Sequence, residues 1–438
     1  MSMTDEAQAR EVAASAHSLG NDLGELLNRI GGERFVLIGE ATHGTREFYY
    51  LRARITQELI RHKGFRLVVI EGDWPDVLRL HRFAHGEDES DDVEDAMERF
   101  SRFPSWMWRN EEMKAFVAWL RGWNREFPAG AAGLFGMDLY SLHASIGEVL
   151  RYLRKADPVA AKEARERYSC FDHFGTNPQE YGYATTSGLR PSCEKEVIAQ
   201  LMAMRKAAAA VSGEMAWEER FYAQQNARVV ADAENYYRAM FRGRHESWNL
   251  RDRHMADTVD DLSDFFGQDG EPSKVVVWAH NSHVGDARAT QMGQQGEWNV
   301  GQILRQRHPS ETFVIGFSTH CGTVIAADEW DGEPERMAVR PSLAGSYERL
   351  FHQTGLERFW LDLREEGAAR GILSEPRLER AIGVIYRPET ERWSHYFEAN
   401  LADQFDMVMH IDRTCALSPL DEAAKPAKDR PCEPAAEL

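Results

Sequence analysis

Seven short apolar runs, each ending in ionisable side chains, constrain this chain more than any other feature. The first four are "RFVLIGE" to Glu40, "FRLVVIEGD" to Glu71 and Asp73, "AGLFGMDLY" to Asp138, and "KVVVWAHNSH" to His280 and His283. "TFVIGFSTH" to His320 follows, and "RFWLDLRE" and "FDMVMHIDR" close the set. Their apolar residues are continuous rather than alternating. Strands of that kind are buried on both faces, which predicts a mainly parallel sheet with helices on either side.

Between the first two runs an amphipathic helix is predicted over about residues 46 to 62, with Gly64 placed as its C-terminal cap. This strand–helix–strand unit gives an α/β fold. Residues 144–270 show long helical patterns, such as "CEKEVIAQLMAMRKAAAAV" and "ERFYAQQNARVVADAENYYRAMF", and no strand. They read as a large helical insertion walling a cleft, between core segments 1–143 and 271–415. The tail 416–438 has the composition of disorder. "HGEDESDDVEDAMER" reads as a solvated acidic loop.

Composition removes several classes of function. Asp and Glu total 71 against 52 Lys and Arg, a formal charge of −19. Duplex binding needs the opposite balance, so neither nucleic acid nor an anionic membrane is expected as a partner. The five cysteines (170, 193, 321, 415, 432) are scattered and form no CxxC. That predicts neither a disulfide framework nor a thiolate zinc site. No basic leader precedes an apolar run, and no stretch of about 18 apolar residues occurs, so a cytoplasmic location is expected.

In open α/β sheets, ligands bind beyond the carboxyl ends of the strands. Glu40, Glu71, Asp138 and His280 fall at four such ends and would converge if the strands are parallel neighbours. Any one of them alone reads equally well as a cap or a surface charge. The set does not, because capping favours Ser, Thr and Asn over Glu and His. "EATH" and "HNSH" each space two ionisable groups three apart. Those pairs meet only if the chain turns between them, and Gly44 and Gly285 fit tight loops there.

The helix after His43 adds Arg52. At about 100° per residue, Phe48, Leu51, Ile55 and Leu59 form one apolar face, and Arg52 lies about 40° from Phe48 and 20° from Leu59. Either it meets a buried carboxylate, Glu40 or Glu71, or it reaches the rim with only its stem packed. Arg46 and Arg54 point elsewhere.

No GxSxG elbow, P-loop, GxGxxG after a strand, HExxH or activated cysteine is present. What remains suits a histidine general base that activates water, with carboxylates setting its tautomer. An arginine or second histidine would then stabilise the oxyanion. The same groups also suit a divalent metal.

"LIGEATHGTREFY", "VVIEGDWPD" and "WAHNSHV", in this order, resemble the erythromycin esterase family of macrolide-opening hydrolases, with "IYRPETERWSHYF" and "QFDMVMHIDRT" also typical. The resemblance covers about residues 20 to 415. It implies a metal-free hydrolase of carboxylic esters or macrolactones, a chemistry of antibiotic resistance, with no covalent intermediate and no required cofactor. It also implies His43 as general base, Glu40 and Glu71 as active-site carboxylates, Arg52 as active-site arginine, and His280 and His283 as the second histidine pair. Asp138 and Asp73 are expected to bind substrate, a small-molecule ester or lactone. Two other readings compete: a metal-dependent hydrolase using the same Glu and His cluster, and a non-catalytic protein holding a small ligand or metal. The aromatics of the insertion (Tyr181, Tyr183, Trp217, Tyr222, Tyr236, Tyr237) suit an apolar substrate surface or a core.

Overall fold

The structure is a computed structural model that describes residues 4–174, 177–207, 214–267 and 270–421. Its first strands are β1 (His17–Ser18), β2 (Phe35–Ile38), β3 (Leu67–Asp73), β4 (Gly133–Asp138) and β5 (Val275–Trp278). Then follow β6 (Thr312–Ala326), β7 (Glu335–Val339), β8 (Arg358–Asp362), β9 (Arg377–Arg380), β10 (Tyr396–Ala399) and β11 (Met407–Thr414). All seven apolar runs form strands. The large sheet has the order β1-β8-β11-β6-β2-β5-β3-β4, with β7 added on β6, and an antiparallel pair, β9 and β10, stands apart. With helices making up much of the rest, the fold is α/β and its sheet is mixed but mostly parallel.

The centre of the sheet follows from the apolar runs. Phe35 to Ile38 are fully buried, and Ile38 stands opposite both Trp278 of β5 and Ile315 of β6. A strand with parallel neighbours on both edges and cover on both faces leaves no position for a polar side chain. β11 is also parallel to β6. The edges depart from the expected direction: β8 runs antiparallel to β11, and β1 antiparallel to β8. Apolar content records burial, not direction.

β6 is the second departure. It does not end at His320 but continues to Ala326, and its last residues pair with β7 from Gly322↔Val339 to Ala326↔Glu335. The apolar "TVIA" resumes after the polar interruption. His320 therefore lies inside a strand, not at its end.

The predicted helix is present as Arg46–Lys63. Gly64 caps it at φ 74° in the left-handed region, where its N–H donates to Leu59 O. Phe48, Leu51, Ile55 and Leu59 are buried as expected, and Arg52 is 0% exposed.

The chain divides into two compact units. The first is Met1–Val69, Leu80–Leu134 and Leu262–Leu438, and the second is Ile70–Arg79 and Phe135–Asp261. Within the second, the helix Glu214–Ala239 packs on the helices Leu142–Ala156, Pro178–Thr186 and Glu194–Ala207. Tyr181, Tyr222, Tyr236 and Tyr237 are buried there, whereas Tyr183 and Trp217 are exposed. Cys170 and Cys193 form a disulfide in this unit, with Cα atoms 5.8 Å apart. The expectation of no disulfide fails because helix packing, not motif spacing, brings these two together.

Of the tail, residues 416 to 421 are described and 422 to 438 are not. Leu417 is buried, and its N–H donates to Gly44 O. Among the described residues no helix is long and apolar enough to cross a membrane.

Two buried glutamates of the first unit give a pH signature. Burial, and then the charge of Glu348, push the Glu379 carboxyl well above the ordinary 4.5. Burial also raises Glu348, against the opposing charge of Arg380. A folded-state carboxyl that keeps its proton while the unfolded one ionises loses stability as pH rises above the unfolded value. Glu379→Gln removes that loss. The variant is expected to match the parent near pH 4.5 and to melt higher by about 2 °C or more at pH 8. Thermal unfolding of both proteins across that range is the measurement, and equal melting curves at pH 8 would refute it.

Candidate active site

Glu40 follows the end of β2 by two residues, and His280 follows β5 in the same way. β2 and β5 are paired in parallel, so equivalent exits stand side by side. The backbone locks them together: Asn281 N–H donates to Glu40 O at 2.9 Å, and Gly39 N–H to Ile315 O at 2.8 Å. Asn281 Nδ2 also donates to Phe317 O at 2.8 Å, tying the β5 exit to β6.

The turn that brings "EATH" together is held by neighbouring chain. His43 N–H donates to Ile382 O at 3.3 Å, and Ile382 N–H to Ala41 O at 2.9 Å. Gly44 is required by close approach, because a Cβ there would lie 1.9 Å from Ile325 O. Gly285 is in ordinary extended geometry at φ −65°. It is not needed for its conformational freedom, contrary to expectation.

Within this turn His43 Nδ1 lies 2.8 Å from Glu40 Oε1. An ionised carboxylate only accepts, so Nδ1 carries the proton and the Nε2 lone pair is left as the base. Glu40 is 0% exposed and His43 7%. The His280 ring is 4.8 Å from the His43 ring, tilted by 49°. His280 Nδ1 is 2.9 Å from Ser282 Oγ and also accepts the Ser282 N–H, which makes the ring the N-cap of the short helix Asn281–Val284. His283 is buried in that helix and donates its backbone N–H to His280 O.

Arg52 takes the buried alternative. Its Nη2 is 2.9 Å from Glu40 Oε2. The contact is ionic, without the angles of a directional hydrogen bond. Three rings surround the guanidinium instead: Tyr49 at 4.2 Å, Trp278 at 5.2 Å and Trp108 at 5.9 Å from Cζ. Aromatic faces stabilise a desolvated cation by about 2 kcal/mol each when well placed. The rings are themselves fixed, Tyr49 OH donating to Met107 O at 2.7 Å and Trp278 Nε1 to Thr56 Oγ1 at 2.9 Å. The chain Arg52–Glu40–His43 is thus rigid from base to tip.

Glu71, Asp73 and Asp138 belong to the second unit, where a residue without a sequence signal joins Glu71 to Asp138. Arg251 Nε donates to Asp138 Oδ1 at 2.9 Å, and its Nη2 to Asp138 Oδ2 at 2.6 Å and Glu71 Oε1 at 2.8 Å. Asp138 Oδ1 also accepts the Leu139 N–H, and Asp73 Oδ1 accepts the Tyr140 N–H at 3.1 Å. Burial alone would raise the Asp138 carboxyl, but the charge and hydrogen bonds of Arg251 outweigh it and hold the group below its usual range. Arg251 Cζ lies 4.9 Å from the Tyr140 ring centre. Nothing in "NLRDRHM" separates Arg251 from the other arginines of its helix; the choice is made by tertiary packing.

Among the described residues, the group with metal-ligand spacing is His320, His352 and Asp412. It does not include Glu40, His43 or His280.

Removing Arg251 takes away the cation to which buried Asp138 gives both its oxygens, and breaking a buried pair of that kind costs about 3–5 kcal/mol. Arg251→Met is expected to lose stability of that order at pH 7. Part of the loss should return as pH falls and the Asp138 carboxyl, which burial raises once the arginine is gone, takes up a proton. Urea denaturation at pH 5 and pH 7 measures both effects, and a loss independent of pH would refute the pairing.

Comparison with known proteins extends this description. A family model described as Erythromycin esterase matches residues 60–414. The putative hydrolase YbfO of Bacillus subtilis (strain 168) is 20% identical over 93% of this chain and 89% of its own length. The erythromycin esterase type II of Escherichia coli is 21% identical over 90% of this chain and 93% of its own. Among solved structures, a succinoglycan biosynthesis protein superposes with TM-score 0.76 at 21% identity, covering 95% of this chain and 99% of that one. An erythromycin esterase mutant in its open conformation superposes with TM-score 0.66 at 16% identity, covering 90% and 94%.

Proposed function

Since this chain belongs to the erythromycin esterase family, we propose that it is a hydrolase that opens a carboxylic ester with water activated by His43. The observation that carries the proposal is the arrangement at the exits of β2 and β5. A buried imidazole is held in one tautomer by a buried carboxylate, and a second imidazole stands beside it.

In this mechanism His43 Nε2 takes a proton from water as the water attacks the ester carbonyl. Glu40, accepting from Nδ1–H, fixes the ring and stabilises the imidazolium that forms. Arg52 is a positioning residue: its guanidinium lies against the second oxygen of Glu40 and offsets the cost of burying that carboxylate. His280 polarises the carbonyl or returns a proton to the leaving alkoxide. No nucleophilic side chain is needed, and no acyl-enzyme is formed.

The orienting carboxylate is Glu40 in this proposal rather than Glu71, whose Oε1 accepts from Arg251. Asp138 and Asp73 are likewise assigned to holding the ends of β4 and β3. The name of the Escherichia coli relative makes macrolactones the first substrates to try, with simple carboxylic esters as the comparison.

Incubation with a panel of both, read by mass for the gain of one water, tests the reaction. His43→Ala is expected to lose at least about 10²–10⁴-fold in kcat on any substrate turned over. Glu40→Gln should lose activity through kcat rather than KM, since it orients the base without touching substrate. An unchanged rate in His43→Ala, with the fold intact by circular dichroism, would sink the assignment.

A further inference from the structure

We infer that the first unit holds a site for a divalent transition ion, best matched by Zn²⁺, formed by His320, His352 and Asp412. Nothing in the proposed hydrolytic mechanism uses these residues. The inference is independent of that reading.

Three elements bring the ligands together. His320 projects from β6 and Asp412 from β11, a parallel pair whose register sets His410 opposite Ser318 and Ile411 opposite Thr319. Two residues along each strand from Ser318 and His410, on the same face, stand His320 and Asp412. His352 is the last residue of the helix Tyr347–His352, which packs on both strands. One ligand atom from each of the three lies within 4.8 Å of the others. Ligands about 2.0–2.2 Å from a tetrahedral zinc lie about 3.3 Å from one another. A modest side-chain adjustment closes the difference.

The supporting contacts are those a metal site requires. His320 Nδ1 lies 2.6 Å from Ser342 Oγ, which fixes that ring and directs Nε2 outward. Ser342 is fully buried and held in turn, its N–H donating to His320 O and its carbonyl accepting from Arg349 Nε at 2.9 Å. As an outer partner His410 Nε2 lies 3.5 Å from Asp412 Oδ1, while the 2.8 Å contact of Asp412 Oδ1 with His352 Nδ1 joins two of the ligands themselves. His410 Nδ1 is closed off by Ser318 Oγ at 2.8 Å. Outer partners that set ring orientation and steady the carboxylate are characteristic of sites that bind metal tightly.

Accessibility also favours an ion. His320 is nearly buried, while the side chains of His352 and Asp412 are 40% and 24% exposed, so the site opens to solvent on one side. Arg380, which donates to the carbonyls of Thr319 and His320, is balanced by Glu391 at 3.2 Å. The His320 and His352 rings stack at 3.7 Å, nearly parallel. An ion in both ring planes requires one ring to tilt, and the more exposed His352 is the one free to do so. Two imidazoles and one carboxylate suit zinc, cobalt or nickel better than calcium or magnesium. The bound ion would leave a fourth position for water.

The test uses the full chain, purified without a metal-affinity tag and stripped with chelator. Zn²⁺ and Co²⁺ are titrated separately, read by calorimetry and by the visible spectrum of the cobalt form. One equivalent is expected to bind with Kd of about 10 μM or tighter, raising the melting temperature with ion concentration. His352→Ala, at an exposed position, and Asp412→Asn should each weaken binding at least tenfold, while His43→Ala should leave it unchanged. His320→Ala should do the same as His352→Ala if it folds. Absence of stoichiometric binding below about 100 μM overturns the proposal, which would then concern an affinity too weak for a built site. Binding that survives in His352→Ala and Asp412→Asn, or that disappears in His43→Ala, overturns it as well.

Discussion

The ion pair of Arg52 with Glu40 is the interaction on which the rest depends. Burying either charge alone costs several kcal/mol, and both side chains are 0% exposed. The pair is tolerable because the guanidinium is also enclosed by Tyr49, Trp108 and Trp278, whose faces attract a cation. From that follows a buried carboxylate held in one place, and from the carboxylate a histidine with one defined tautomer. A helix face, a strand exit and a turn are thereby joined by electrostatics as well as by packing.

The first unit and the second use the same device for different ends. In each, an arginine from a helix meets carboxylates at strand ends: Arg52 with Glu40, and Arg251 with Glu71 and Asp138. The first pair leaves one carboxylate oxygen to orient an imidazole. In the second, Asp138 gives both its oxygens to the arginine and Glu71 gives one. Similar residue types at similar strand positions are thus separated by how much of their hydrogen-bonding capacity the fold already uses.

Much of this was legible in the sequence, for identifiable reasons. Strands buried on both faces must be apolar throughout, so their ends are visible where Glu40, Asp138 and His280 begin. A charged residue on an apolar helix face must find a partner, so Arg52 stands out from Arg46 and Arg54. The family resemblance, drawn from three short motifs, agrees with a family model matching residues 60–414. What was not legible depends on tertiary choice. Arg251 resembles its helical neighbours, the Cys170–Cys193 disulfide follows no spacing rule, and the antiparallel direction of β8 leaves no mark on its composition. His320 was visible only as the end of an apolar run, and its stack with His352 joins residues on a strand and on a helix that share no pattern.

The order of the chain has a consequence for how the molecule is made. β2 emerges early in synthesis, yet its two sheet partners begin only at Val275 and Thr312, after most of the second unit has been produced. Pairings of such sequence separation are slow to form. Through that interval β2 has no sheet neighbour, and Glu40, Ala41 and His43 lack the clasp of Ile382. The helix Arg46–Lys63 is a large element available to it from nearby sequence. Arg52 meeting Glu40 is a short-range contact, able to shelter the nascent strand while the ribosome supplies the remainder.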